Sequence, residues 1–150
     1  MAENKDSGLM KMHKVFVYGT LLRGYWNHDR CLTGQTFLKE ATTAPEYTML
    51  HLGGFPGIVE GGKTTIIGEV YEVSEDCLLN KLDRLEGYRP SNPEKSMYIR
   101  KTITLTDGTE VYTYIYNRST RFAGRGTERP AVASGSWRQE EPPKKRFILG

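Results

Sequence analysis

Residues 66–88, IIGEVYEVSEDCLLNKLDRLEGY, decide the fold class because two periodicities meet there within one short stretch. Ile66 to Val73 alternates as a strand does, with Gly68 marking a bulge or a close backbone approach. Ser74 then supplies an N-cap, and Glu75 and Asp76 complement the positive end of a helix dipole. Leu78, Leu79, Leu82 and Leu85 recur at helical spacing, and Gly87 is the expected stop. A strand running straight into one helix, with no second helix of comparable definition in the chain, argues against regular βαβ alternation.

On either side of this stretch the chain reads as strands. Lys14 to Tyr18 is a short Val/Phe-rich strand, and Thr36 to Leu50 is strand material interrupted at Pro45. HLGGFPGIVEGG (51–62) reads as loop, short strand and turn. Tyr98 to Leu105 and Glu110 to Tyr116 alternate around Thr106-Asp107-Gly108-Thr109, a hairpin signal. If Asp107-Gly108 is a two-residue turn, Tyr116 lies opposite Ile99 and on the other sheet face from Tyr98 and Arg100. Several strands with one helix predict an α+β fold with a curved or barrel-like sheet. The expected domain spans residues 14–138, preceded by a frayed segment, 1–13, and followed by a flexible tail, 139–150.

Composition narrows the function classes. A hydrophobic share of 37% in 150 residues is enough for one core without metal or disulfide staples. The net charge of +3 is too mild to point to nucleic acid, and its excess is local to the last third, where Arg118, Arg121, Arg125, Arg129, Arg138, Lys144, Lys145 and Arg146 fall. Cys31 and Cys77 form no CxxC pair and read as small core residues. No secretory signal and no membrane-length apolar run is visible, so a cytoplasmic location is expected. His13, His28 and His51 lack metal-ligand spacing, and no nucleotide-loop or nucleophile-elbow motif occurs, so no metal or cofactor is expected.

Glu86 is the residue out of place. Leu78, Leu82 and Glu86 follow one another at intervals of four, which sets the carboxylate only about 50° from the centre of the apolar stripe. A carboxylate there must be neutral, partnered or facing a cavity. Burial and the negative end of the helix dipole both favour its protonated form. Asp76 and Asp83 fall away from the stripe centre and read as solvated. A second anomaly is FVYGTLLRG (16–24), where a good strand ends in Tyr18-Gly19-Thr20-Leu21. A glycine there leaves room for successive amides to converge on an anion.

The ordered set VFVYGTLLRGYWNH, GGFPGIVEGG, IIGEVYEV, LDRLEGY, YIRKTITL and VYTYIY resembles the γ-glutamylcyclotransferase-like family, which includes γ-glutamylamine cyclotransferases and AIG2-like proteins, over residues 14–117. SGSW at 134–137 resembles a short motif that closes the fold. The resemblance implies a small mixed β-barrel with flanking helices and a cavity at one end. It places Glu86 as the catalytic acid/base, assigns the α-carboxylate of a γ-glutamyl group to the backbone of Tyr18, Gly19, Thr20 and Leu21, and sets Tyr116 near the cavity. The implied partner is a small γ-glutamyl substrate, which would release 5-oxoproline and a free amine. A non-catalytic binder of a small anionic metabolite or nucleotide in the same cavity is the alternative, and the oligomeric state stays open.

Overall fold

The computed structural model describes residues 11–118 and 129–144. Its framework is a seven-stranded mixed sheet: β1 (Met12–Val17), β2 (Thr36–Thr42), β3 (Tyr47–His51), β4 (Pro56–Glu60), β5 (Ile67–Ser74), β6 (Tyr98–Thr104) and β7 (Glu110–Tyr116). The strands run β2-β5-β1-β7-β4-β3, with β6 on the other edge of β7. Helix α1 (Trp26–Cys31) follows β1, α2 covers residues 75–86, and α3 (Trp137–Glu140) closes the described chain.

β1 is apolar without alternation because both of its faces are covered. Val15 and Val17 join the cluster containing Tyr71, Val73, Leu78 and Leu82, which lies under α2. Phe16 and Tyr18 join the opposite cluster, with Met49, Ile58, Val70, Ile115 and Trp137. The expected barrel is not closed. The sheet curls until the end of β2 meets the end of β6 at the single bridge Thr43↔Leu105, backed by a hydrogen bond from the Thr106 amide to the Thr42 carbonyl of 3.2 Å. One bridge is not a ladder, so the fold is an open, curled α+β sheet. The bulge that helps curl it lies between Phe37 and Lys39 in β2. Gly68 is instead the close approach: a side chain there would overlap the Val17 carbonyl and the Phe16 ring.

β7 serves three neighbours. Along its whole length it pairs antiparallel with β6. On its other edge it pairs parallel with β1 at Val15↔Tyr112 and then with β4 at Ile58↔Ile115. The edge therefore changes partner within three residues, and β1 and β4 part over it. Tyr18 fills the parting, its hydroxyl donating to the Tyr114 carbonyl (2.7 Å) and accepting from the Ile58 amide (3.3 Å). A side chain here replaces a missing rung of the backbone ladder.

Three expectations change. The first is the register of the β6–β7 hairpin. Its loop holds three residues, 106–108, closed by the Leu105 amide on the Thr109 carbonyl, with Gly108 left-handed at φ 89°. Tyr98 consequently pairs with Tyr116 on one face, their rings edge to face at 5.7 Å.

The second is the phase of α2. Ser74 caps it by accepting from the Cys77 amide (3.1 Å), and Gly87 ends it at φ 67°. Residues Leu78–Leu82, however, form a π-turn in which the Asp83 amide reaches the Leu78 carbonyl. A five-residue step stacks Asp83 over Leu78. Asp83, expected in solvent, is 3% exposed, while Leu79, expected in the core, is 43% exposed.

The third concerns the boundaries. β1 begins at Met12, inside the segment expected to fray, and α3 crosses the expected end of the domain at 138. Glu141 beyond it is tied back, its carbonyl accepting from Tyr25 and its carboxylate meeting His51 at 3.1 Å. The arginine-rich stretch 119–128 and the end of the tail, 145–150, lie outside the described residues.

Candidate active site

Where β1 and β4 part, the sheet opens into a cavity of about 310 Å³. Its floor is Phe16 to Leu21, the facing wall is Gly54-Phe55-Pro56, and Leu85, Glu86, Met97, Tyr98 and Tyr114 close the side. Divergence of neighbouring strands beyond their carboxyl ends is a general origin of ligand crevices.

The turn after β1 is held by its own backbone and by α1. The Leu22 amide donates to the Gly19 carbonyl (3.0 Å), and Asn27 of α1 donates to the Thr20 hydroxyl (2.9 Å). His28 of the same helix meets the Leu21 carbonyl at 3.0 Å. Among the described residues nothing accepts from the amides of Gly19, Thr20 or Leu21. Gly19 is glycine for space and not for conformation. Its φ is not positive, but a Cβ would lie 2.7 Å from Pro56 Cγ and 2.8 Å from Cδ. The expected convergence of amides therefore rests on a tight turn pressed against Pro56.

Glu86 borders the cavity from the last turn of α2, partly buried, with no hydrogen-bond partner or ion pair among the described residues. Burial, and secondarily the charge of Asp83, push its carboxyl up to about 8. That is the direction read from its place on the helix. Its neighbours Tyr18, Tyr98 and Tyr114 are themselves pushed up, by burial first, and stay neutral through this range. No lysine or arginine lines the cavity among the described residues.

Of the residues singled out from sequence, Tyr18, Gly19, Thr20, Leu21 and Glu86 border this one cavity. Tyr116 stands behind it, packed on Tyr98, and close to Gly57, where a Cβ would come within 2.8 Å of its own Cβ. Sequence reasoning missed Asn27, Pro56 and Tyr98. Tyr114 lies in the alternation Tyr112, Tyr114, Tyr116, which reads first as a sheet face on a core yet leaves room for one hydroxyl to line a pocket, and Tyr114 borders the cavity. Cys31 and Cys77 are buried, free thiols, and burial raises Cys77 to about 11, as suits inert core residues. Away from the cavity, His51, Glu140 and Glu141 bring one potential ligand atom each within 4.8 Å. The His51–Glu141 pair and the His51 ring on Trp137 at 4.9 Å account for that cluster as a strap holding α3.

Split sheet, unpaired amides and a lone carboxyl with raised proton affinity define a small-molecule cleft equipped for proton transfer. A family model described as gamma-glutamyl cyclotransferase, AIG2-like, matches residues 15–139, and the chain belongs to that family. It is 31% identical over 144 residues to the gamma-L-glutamyl-butirosin B gamma-glutamyl cyclotransferase of Niallia circulans, covering 91% of this chain and 90% of the relative. A Vibrio cholerae relative is 39% identical over 127 residues, 85% of this chain and 96% of the relative. The crystal structure of an AIG2-like protein from Mus musculus shares the fold, with a TM-score of 0.66 at 23% identity, covering 92% of this chain and 99% of that one. Among the described residues no helix is long and apolar enough to cross a membrane.

Proposed function

We propose that the protein releases 5-oxoproline and a free amine from a γ-glutamyl amide. The observation that carries this reading is Glu86, a carboxyl without protein partners, raised to about 8, in the same cavity as the free amides of residues 19–21. The family match supports it. The substrate's own α-nitrogen attacks its γ-carbonyl carbon, a C–N bond closes a five-membered lactam, and the original amide C–N bond breaks. The enzyme lends no nucleophile. Its work is to hold the chain folded so that nitrogen and carbonyl meet, and to move protons off the attacking nitrogen and onto the departing one.

Glu86 as carboxylate takes one proton from the α-ammonium, freeing the lone pair that attacks, and delivers it to the departing nitrogen; the second proton that the α-nitrogen sheds on becoming the lactam N–H passes to solvent, and the amine leaves neutral. A raised carboxyl is suited to both halves of the relay, since its proton affinity approaches that of the group it must deprotonate. The amides of Gly19, Thr20 and Leu21 would receive the α-carboxylate, offering donors without the desolvation cost of a buried cation. The absence of Lys and Arg from the described lining weakens the alternative of a pure anion binder, which gains nothing from an acid in its cavity.

The deciding experiment is incubation with a panel of γ-glutamyl amines and γ-glutamyl amino acids, with 5-oxoproline as readout. Release from at least one member is expected, and failure across the panel returns the cavity to a binding role. Gly19→Ala tests the cradle. The new methyl has to displace Pro56 or the turn, and KM is expected to rise at least about 10-fold with a smaller change in kcat. An unchanged KM would remove residues 19–21 from substrate binding.

A further inference from the structure

Asp83 is the buried acid that the proton relay leaves unused. It is 3% exposed and lies one turn before Glu86 on α2, on the inward side because the π-turn stacks it over Leu78. Its Oδ1 accepts from the Tyr114 hydroxyl at 2.6 Å and lies 3.4 Å from Arg100 Nε. Its Oδ2 is buried and has no hydrogen-bond partner. A carboxylate oxygen left unpaired in the interior loses its hydration without replacement, so the arrangement needs a reason beyond packing.

Its two partners belong to the strands behind the cavity. Tyr114 on β7 itself borders the cavity, and Arg100 on β6 lies over the rings of Tyr112 (4.7 Å) and Tyr88 (5.4 Å). Both contacts favour the charged form of Asp83 against the burial that opposes it. Glu86, one turn on, has none of them. The two acids thus sit in opposed environments on one helix, the pattern by which one carboxyl stays ionised while the other exchanges a proton.

We propose that Asp83 is a positioning residue for Glu86: an anion clamped by Tyr114 and Arg100 behind the cavity wall, one turn from the carboxyl that faces the substrate, whose field acts on that carboxyl. The assignment rests on the proposed cyclotransferase chemistry for its purpose but not for its test. Asp83 on its own helix is the group whose charge acts on Glu86, and the charge of Glu86 in turn reaches Tyr18 at the end of β1, Cys31 on α1, Tyr98 on β6 and Tyr114 on β7. All but Asp83 are neutral acids with raised proton affinity. Asp83 is itself raised, by burial first, an effect that the Tyr114 hydrogen bond and Arg100 offset in part.

The test is a carboxyl titration of the free protein by ¹³C NMR, with Asp and Glu side chains labelled, together with the pH profile of kcat/KM. In the wild-type protein Glu86 is expected to titrate near 8 with Asp83 already ionised at pH 7. Asp83→Asn keeps an acceptor for Tyr114 and deletes the charge. Glu86 should then titrate about one pH unit lower or more, and the acidic limb of kcat/KM should move with it. A residue that merely packs would lower the active fraction and leave that limb in place.

An unshifted limb or titration overturns the proposal. So does a wild-type Asp83 that is protonated at neutral pH, a measurement that stands even where the variant fails to fold. A shifted titration in a protein that releases no 5-oxoproline would keep Asp83 in this role and reject the proposed reaction.

Discussion

Glu86→Gln is expected to lower 5-oxoproline release by about 10²- to 10⁴-fold, the range that general acid–base catalysis supplies. Glutamine matches the shape of a protonated glutamate, so the cavity should survive the exchange. Stability is the second readout, and its sign is distinctive. The folded carboxyl titrates near 8, above the ~4.3 of an unfolded chain. Between those values the unfolded state gives up a proton that the folded state keeps, so the wild-type protein loses stability as pH rises from about 4 to 8.

Glutamine has no proton to lose. Relative to wild type the variant should gain on the order of 2 kcal/mol between pH 5 and pH 9, an amount discounted because Glu86 borders an open cavity. Urea unfolding at both pH values measures it. A variant that retains near wild-type turnover, or shows no relative gain at pH 9, would take Glu86 out of the role assigned to it.

Tyr18→Phe should produce the largest loss of stability. The hydroxyl mends the ladder where β7 changes neighbour, and its removal strands the Ile58 amide and the Tyr114 carbonyl in residues with almost no exposure. An unmet buried backbone group costs about 1–3 kcal/mol, and two of them, less partial relaxation, give an expected loss of about 2–4 kcal/mol. Equilibrium unfolding in urea, with an unchanged m value, is the measurement. A loss below about 1 kcal/mol would mean that β1, β4 and β7 hold together without this rung.

What was legible in the sequence follows the range of the interactions involved. The cap at Ser74 and the left-handed stop at Gly87 are set by chemistry within a few residues and stand as read, and of the two readings open at Gly68, bulge or close approach, the structure shows the second. Glu86 could be picked out because a charged group in line with Leu82 is anomalous whatever surrounds it. Asp83 could not. Its burial depends on one wide turn, and regular spacing cannot register an extra residue inside a helix that is otherwise continuous.

The pairing of Tyr98 with Tyr116 was missed because Asp107-Gly108 is compatible with two- and three-residue loops, and one residue of difference turns a strand face over. A cavity was implied by the family resemblance, but its construction was out of reach of the residue pattern. It comes from two single parallel pairings, Val15 with Tyr112 and Ile58 with Ile115, between segments far apart in the chain.

The wide turn at Leu78–Leu82 has a price in local order and a return in aim. An uninterrupted helix needs one residue fewer between Cys77 and Asp83, and each residue advances the spiral by about 100°. Excising Asn80 would therefore give a regular helix with both acids near their present bearing, whereas the same residues wound as an unbroken α-helix would turn the final stretch by about 100° and swing both acids away. The segment is thus tuned for direction over regularity, like a screw cut with one deliberate misthread so that its slot comes to rest pointing where the tool must enter.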